Sequence, residues 1–311
     1  MADRGEPTLS ILIPVYNWPV GPLVRELQAQ VERGGLAHRV DIHLFDDGSD
    51  AACAQALRAL ATPTGRAPEV QVHSLGRNVG RAEARNQLLE RSRGDWLLFL
   101  DADVLPDRET FVSDYLAAAV NTGSEAICGG LSYSRCADVG ADQRFYFRYS
   151  SRASVAAPQL RNSRAWAWVF TSNMLVSRRL VRACPFDASF SGYGYEDLEW
   201  GIRLDRHGGV LHLDNPVTHL GLLSKPVLQR KTREAAPNLV RMHALHPDFV
   251  AAMSLLRTAR WLAWLPAGLL QRLARVVGWV FTRCNCGFAV ELLLFQFEKL
   301  LWTGLALRVA R

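Results

Sequence analysis

The 311-residue sequence has no Gly-x-Gly-x-x-Gly element after any apolar run. This removes the loop that lets a pyrophosphate approach the backbone in dinucleotide oxidoreductases. It has only six cysteines (Cys53, Cys128, Cys136, Cys184, Cys284 and Cys286), and the one close pair, Cys284 and Cys286, has the spacing of neither a zinc knuckle nor a redox pair. Scattered cysteines of this kind predict reduced thiols. The charged N-terminal residues lead straight into the apolar run Leu9 to Val15 with no separate secretory core or cleavage site, so we expect a cytoplasmic protein. In the C-terminal region the longest uncharged stretch, Trp261 to Gln271, is eleven residues and contains Pro266. That is well short of the roughly 20 residues needed to span a bilayer.

What the chain does have is 49% hydrophobic residues, enough for a catalytic domain of about 200–250 residues plus an appendage. The net charge of +6 is unevenly placed. Residues 249–311 carry seven arginines and Lys299 against Glu291 and Glu298, which leaves 28 basic and 28 acidic residues, of the 36 and 30, in the rest. The basic excess therefore belongs to the C-terminal segment. Its charges are interleaved with large apolar residues, a pattern that suits anionic lipid and argues against a nucleic-acid partner.

Apolar runs at Leu9 to Val15, Val40 to Phe45, Val70 to Leu75 and Trp96 to Leu100 alternate with helical spacing at Gly21 to Arg33, Ala51 to Leu60 and Arg81 to Arg91. Continuously apolar strands alternating with helices predict an α/β fold, a Rossmann-like, mostly parallel sheet covered on both faces. In such sheets ligands bind beyond the carboxyl ends of the strands. Tyr16-Asn17, Asp46-Asp47 and Asp101-x-Asp103 all follow strand ends.

Asp101-Ala102-Asp103 places two carboxylates one residue apart on a turning chain. Such a pair can hold a divalent cation and a ribose hydroxyl, and the cation can bridge the phosphates of a nucleotide diphosphate. In Asp46-Asp47-Gly48-Ser49 a carboxylate can accept from a base-edge N–H or cap the following helix. Gly76-Arg77-Asn78-Val79-Gly80 opens a helix whose N-terminal amides and Arg85 can face an anion.

Together, Pro14-Val15-Tyr16-Asn17, Asp46-Asp47-Gly48-Ser49, Asn78-x-Gly80 with Arg85-Asn86, and Asp101-x-Asp103 resemble, in order and spacing, glycosyltransferase family 2, the inverting enzymes of the GT-A fold. The resemblance spans roughly residues 8 to 220 and implies a nucleotide-diphosphate sugar donor, most simply a UDP-sugar, with Mn²⁺ or Mg²⁺. It implies that Pro14 and Tyr16 flank the base, that Asp46 or Asp47 reads the uracil edge, and that Asn78 and Arg85 belong to the donor site. Asp101 then touches the ribose, and Asp103, with Asp101 beside it, binds metal. His219 either completes the metal shell or is structural.

The segment Gly192-Tyr193-Gly194-Tyr195-Glu196-Asp197-Leu198-Glu199-Trp200 resembles the Glu-Asp segment in which the family carries its catalytic base, an assignment we give to Asp197. A carboxylate there would take the proton from an acceptor hydroxyl. Glu196, Asn173 and Trp200 are expected on the acceptor and sugar side, although aromatic residues at such spacing are more often core. Lys225, Arg230, Lys231 and Arg233 read as a mobile lid or a solvated basic loop.

We expect domains at 8–248, catalytic, and 249–311, a basic amphipathic helical tail lying on a membrane surface. In the tail Arg257 with Arg260 and Arg272 with Arg275 share helix faces, with Leu256, Trp264, Leu269, Leu273 and Val277 opposite. A lid or dimer interface is the competing use of these helices. The implied activity is sugar transfer to a glycan or lipid-linked acceptor in cell-envelope polysaccharide synthesis, at the cytoplasmic face of the membrane. A processive synthase is disfavoured because Gln229-Arg230-Lys231-Thr232-Arg233 does not match the Gln-x-x-Arg-Trp segment. The rivals are a sugar-nucleotide nucleotidyltransferase and a non-catalytic membrane scaffold retaining the fold.

Overall fold

The computed structural model describes residues 8–61, 68–190, 192–250, 253–283 and 285–310. The N-terminal residues discussed above and Cys284 lie outside them. The described residues form two compact units, one running to Ala137 and continuing through Ser154–Ala188 and Arg203–Gly221, the other comprising Asp138–Ala153, Ser189–Ile202 and the chain from Leu222 onward.

The first unit opens as the apolar pattern predicts. Strand β1 (Leu9–Val15) leads to helix α1 (Gly21–Arg33), β2 (Val40–Asp46), α2 (Ala51–Arg58), β3 (Glu69–Ser74), α3 (Arg81–Arg91) and β4 (Trp96–Leu100). Next come β5 (Val104–Pro106), α4 (Phe111–Asn121), β6 (Ala126–Cys128) and β7 (Leu131–Ser132). Beyond α5 (Arg144–Ser154) lie α6 (Pro158–Asn162), a 3₁₀ turn at Ala165–Trp168, β8 (Asn173–Ser177) and α7 (Arg178–Ala183). After α8 (Glu196–Asp205), strands β9 (Leu211–His212) and β10 (Val217–His219) complete this unit.

The main sheet has the order β3-β2-β1-β4-β8-β6-β9, and β5-β10-β7 form a second, small sheet. Strands β3, β2, β1 and β4 are mutually parallel, whereas β8 runs antiparallel to both β4 and β6. Parallel strands need their faces covered, and on one of them Ile11, Ile13 and Leu98 of the sheet pack with Leu23, Val24, Leu27 and Val31 of α1 in one core.

The second unit is helical. It contains α9 (Lys225–Leu245), α10 (Pro247–Val250), α11 (Ser254–Leu262), α12 (Ala267–Arg283) and α13 (Phe288–Val309). Two findings correct the expected division at residue 248. The stretch holding Lys225, Arg230, Lys231 and Arg233 is neither lid nor loop but part of the 21-residue helix α9. Moreover, residues from 254 onward pack with that helix and with α5: Phe145, Leu228, Phe281, Phe288 and Phe295 form one cluster, and Ala236, Leu270, Ala274, Leu301 and Trp302 another. The C-terminal helices are thus part of a bundle rather than a detachable tail, because each covers apolar surface that α5 or α9 would otherwise expose.

Cys53, Cys128, Cys136 and Cys184 are free thiols, as expected, but Cys286 is disulfide-bonded, which corrects the expectation of a wholly reduced set. No described helix is long and apolar enough to cross a membrane.

Candidate active site

The carboxyl ends of β1, β2 and β4 converge within the first unit, as the parallel register of β1 with β2 and β4 requires. Pro14 is half-buried in β1 and Tyr16 follows it 57% exposed, so its ring is available to a ligand. Asn17, at φ +48°, ties the β1 end to the β2 end. Its N–H donates to Ser49 Oγ at 3.0 Å, and its Oδ1 accepts from Asp50 N at 2.8 Å. Asp50, not Asp46 or Asp47, caps α2, accepting from Cys53 N at 2.8 Å.

The two candidates for reading the base differ in what they hold. Asp46 accepts from Ser49 N at 2.9 Å, whereas Asp47 takes Val79 N at 2.6 Å and Gly80 N at 3.2 Å on its two oxygens. Asn78 Nδ2 donates to the Asp47 carbonyl at 2.9 Å, so its side chain staples this turn. Burial raises the Asp47 carboxyl above the usual range, the two amides counter it, and Asp46 adds to the rise. Gly48 makes the approach possible: at φ +76°, a Cβ there would lie 2.5 Å from Asn78 N.

Arg85 is 1% exposed, and its Nη2 donates to Asp101 Oδ1 at 2.9 Å. Burial alone would raise the Asp101 carboxyl, but Arg85, followed by Arg81 and His219, outweighs it and holds it below the usual carboxylate range. The Arg85 guanidinium also lies 5.6 Å from the Phe186 ring centroid. One Asp101 oxygen is therefore engaged by a buried arginine.

Asp103 meets His219 instead. Antiparallel pairing of β5 with β10 sets Val104 opposite His219, and Leu220 N donates to the Asp103 carbonyl at 2.8 Å. This brings His219 Nε2 to 3.5 Å from Asp103 Oδ2. His219 Nδ1 is buried without a hydrogen-bond partner. Among the described residues no group of three His, Cys, Asp or Glu side chains could hold a metal ion, so the expected trio of Asp101, Asp103 and His219 is not assembled, and only Asp103 and His219 are brought together. One carboxylate and one imidazole fit Mn²⁺ or Mg²⁺, which bind with few protein ligands and take the rest from substrate phosphates and water.

The pair also depends on Gly221, where an added Cβ would fall 2.0 Å from Asp103 Oδ2 and 3.0 Å from His219 Cε1. Gly221→Ala is expected to weaken Mn²⁺ binding about 10- to 100-fold, the usual effect of disturbing a ligand's support, while thermal unfolding stays cooperative. Titration of Mn²⁺ by calorimetry checks this, and unchanged affinity would separate Gly221 from the site.

Other candidates fall differently. Asn173 is fully buried. Its Nδ2 donates to the Gly130 and Asn215 carbonyls at 2.8 and 2.9 Å, and its Oδ1 accepts from Tyr115 at 2.6 Å. Both its N–H donors and its buried Oδ1 are engaged in joining strand ends, which corrects its expected place in the sugar pocket. Trp200 is 0% exposed, so its ring is core and stacks on no sugar. In the second unit Glu196 is buried and Asp197 half-buried at the start of α8. The preceding loop is fixed by α9: Asn238 Nδ2 donates to Gly194 O at 3.0 Å, and Lys231 Nζ lies 4.5 Å from the Tyr193 ring centroid. Tyr195 adopts φ +73°, a costly conformation for a tyrosine and one that clusters at functional sites. Glu199 is committed to His246 at 3.0 Å, a buried pairing within the same unit.

Sequence reasoning missed two supports. Asp107 Oδ1 accepts from Thr218 Oγ1 at 2.6 Å, fixing the residue beside His219. Arg161, 2% exposed, donates to the carbonyls of Gly129 and Leu213 at 3.2 and 2.7 Å and holds the β6 and β9 ends. Neither has a local signal, since their partners lie 111 and 32–52 positions away.

A GT-A fold with acidic side chains gathered beyond the ends of its parallel strands defines the class. The family model described as "Glycosyl transferase family 2" matches residues 10–171, and the chain belongs to that family. An N-acetylglucosaminyltransferase of Rhizobium leguminosarum bv. phaseoli is 24% identical over 217 residues, covering 67% of this chain and 46% of that protein. The chain spans about half the length of such curated relatives. Among solved structures, the mannosyltransferase PcManGT from Pyrobaculum calidifontis, in complex with GDP-Man and Mn²⁺, superposes with a TM-score of 0.57 at 15% identity, covering 99% of this chain and 86% of that one. TarS 1–349 of S. aureus with UDP gives 0.53 at 14%, covering 98% and 92%.

Proposed function

We propose that the protein transfers a sugar, with inversion, from a nucleotide diphosphate donor to a hydroxyl of a glycan or lipid-linked acceptor in cell-envelope polysaccharide synthesis. The observation that carries the reading is the pairing of Asp103 with His219, held by two antiparallel strands and left open by Gly221. These two would hold Mn²⁺ or Mg²⁺, which supplies charge neutralisation for a departing diphosphate. Arg85 orients Asp101, which is left to meet the ribose, while Tyr16 and the Asp46-Asp47 turn bind the base. Asp197 takes the acceptor proton; this assignment rests on the resemblance of the Tyr195-Glu196-Asp197 segment and on the strain at Tyr195. UDP is the favoured nucleotide, because an aspartate oxygen suits a uracil N3–H.

Screening UDP-, GDP- and dTDP-sugars for Mn²⁺-dependent thermal stabilisation and for turnover tests the reading, since only a bound donor shifts the folding equilibrium. Stabilisation by a UDP-sugar with metal, together with transfer, supports it. Absence of both with every donor defeats it.

The same reading sets the protein peripherally on the cytoplasmic face of a membrane. Its support is the outward surface of α11 and α12, where Trp261, Trp264 and Trp279 are 78%, 73% and 58% exposed and Leu269, Leu273 and Val276 are also exposed. Arg257, Arg260, Arg272 and Arg275 are exposed on the same helices. Leu256, expected on this side, is instead buried, and Val277 is half-buried. Exposed tryptophan with arginine matches the headgroup region of an anionic bilayer. Because deleting residues 249–311 would strip the bundle, the test is substitution. Trp261→Ser with Trp264→Ser is expected to reduce co-sedimentation with phosphatidylglycerol vesicles at least about tenfold without loss of fold. Equal sedimentation of this variant and the parent would defeat the membrane assignment.

A further inference from the structure

The helical unit contains a cavity of about 790 Å³ that none of the residues above lines as part of the donor site. Arg144 and Arg148 of α5, Lys225 at the start of α9, and Phe288 and Glu291 of α13 line it, with Asp142 at its rim. Its walls come from α5, α9, α12 and α13, four helices of one bundle packed through the Phe145 cluster, so the cavity is built rather than a chance surface dip.

The charge is arranged unevenly. Glu291 is committed to Lys225 at 2.8 Å, both side chains being about nine-tenths buried at 12% and 11% exposure, so this pair is neutral and fixed. Arg144 and Arg148 stand exposed, with Asp142 the other acid on the lining. Arg148 and Arg152 lie 4.5 and 4.7 Å from the Phe288 ring centroid, so one aromatic ring holds two guanidiniums near each other. Like charges so placed repel unless an anion sits between or beside them. Two long helices, α9 and α13, also begin at this cavity, with Ser224 and Gly287 as N-caps that form no side-chain cap hydrogen bond. The dipoles of these helix starts favour negative charge nearby, although Pro226 in the first turn of α9 has no N–H to donate.

Two exposed guanidiniums on the wall of a concave site match the oxygens of a phosphate group, whose charge is higher and whose acceptors point in more directions than those of a planar carboxylate. We propose that this cavity binds a phosphate group, carried on a lipid headgroup or free in solution. Its donors are Arg144 and Arg148, and Lys225 stands beside them already paired with Glu291. The inference is independent of the transferase reading, since it uses no residue assigned there.

The experiment uses the full chain and the variant carrying Arg144→Ala and Arg148→Ala, both exposed positions. Inorganic phosphate is titrated against chloride at matched ionic strength, and binding is read by calorimetry and by melting temperature. The parent is expected to show a phosphate-specific signal that the variant loses by at least about tenfold, as removal of two charge-assisted donors implies. Any phosphate held at the donor site would persist equally in both proteins, so the difference isolates the cavity. In a second arm, phosphatidylcholine vesicles with and without phosphatidic acid are compared. A parent preference for phosphatidic acid that the variant lacks identifies a lipid headgroup as the source, whereas a free-phosphate difference without it identifies a soluble phosphate. The proposal falls if parent and variant, both folded by circular dichroism, give equal signals in both arms, or if phosphate acts no differently from chloride.

Discussion

Asp103→Asn is expected to lower Mn²⁺-dependent sugar transfer by at least about 1,000-fold, because the amide removes one of the two protein ligands we propose for the cation and the negative charge that would draw it. The substitution is nearly isosteric, and Asp103 lies beside β5 with its carbonyl, not its carboxylate, bonded to the Leu220 amide. Folding should therefore survive, and Mn²⁺ should no longer add to the melting temperature in the presence of donor. Asp101 would be a poorer test. Its substitution deprives the buried Arg85 guanidinium of the carboxylate at 2.9 Å, so lost activity would be confounded with lost stability. Undiminished turnover of the folded Asp103→Asn protein, or an undiminished metal response, would remove the cation from the proposed reaction.

The second large effect is expected at Asp197. Asp197→Asn should reduce kcat about 100- to 10,000-fold, the range for a positioned base, with donor affinity and the Mn²⁺ response unchanged. The split between turnover and donor binding is the informative readout, since a merely structural role would disturb α8 and with it overall stability. A parallel Glu196→Gln variant, altering the buried neighbour, separates the two positions. A kcat within a few-fold of the parent for Asp197→Asn would move the base elsewhere.

The correspondence between sequence and structure is closest where local rules act alone. Strand β1, helix α1, helix α3 and strand β4 occupy the residues that apolar run length and helical spacing indicate. The polar motifs lie beyond strand ends because a parallel, double-covered sheet leaves nowhere else for charged groups. Failures occur where a side chain's surroundings come from distant chain. Asn173 reads as a pocket residue until Gly130 and Asn215 take both its N–H donors and Tyr115 donates to its Oδ1. Trp200 looks like a sugar platform until packing encloses it. In the basic stretch after His219, helical periodicity is masked because α9 buries Leu228, Ala235 and Leu239 among many charged residues and contains Pro237.

By itself the sequence determined the parallel half of the sheet, the order of the motifs and hence the family, because run length, periodicity and strand-end placement are local properties of the chain. Only the tertiary structure decided that His219 lies beside Asp103, that Asp101 is held by Arg85, and that the C-terminal helices form a bundle with α5 and α9. Each of these is a pairing between residues far apart in sequence. Such pairings are set by sheet register and by which apolar faces find each other, and no local pattern encodes them.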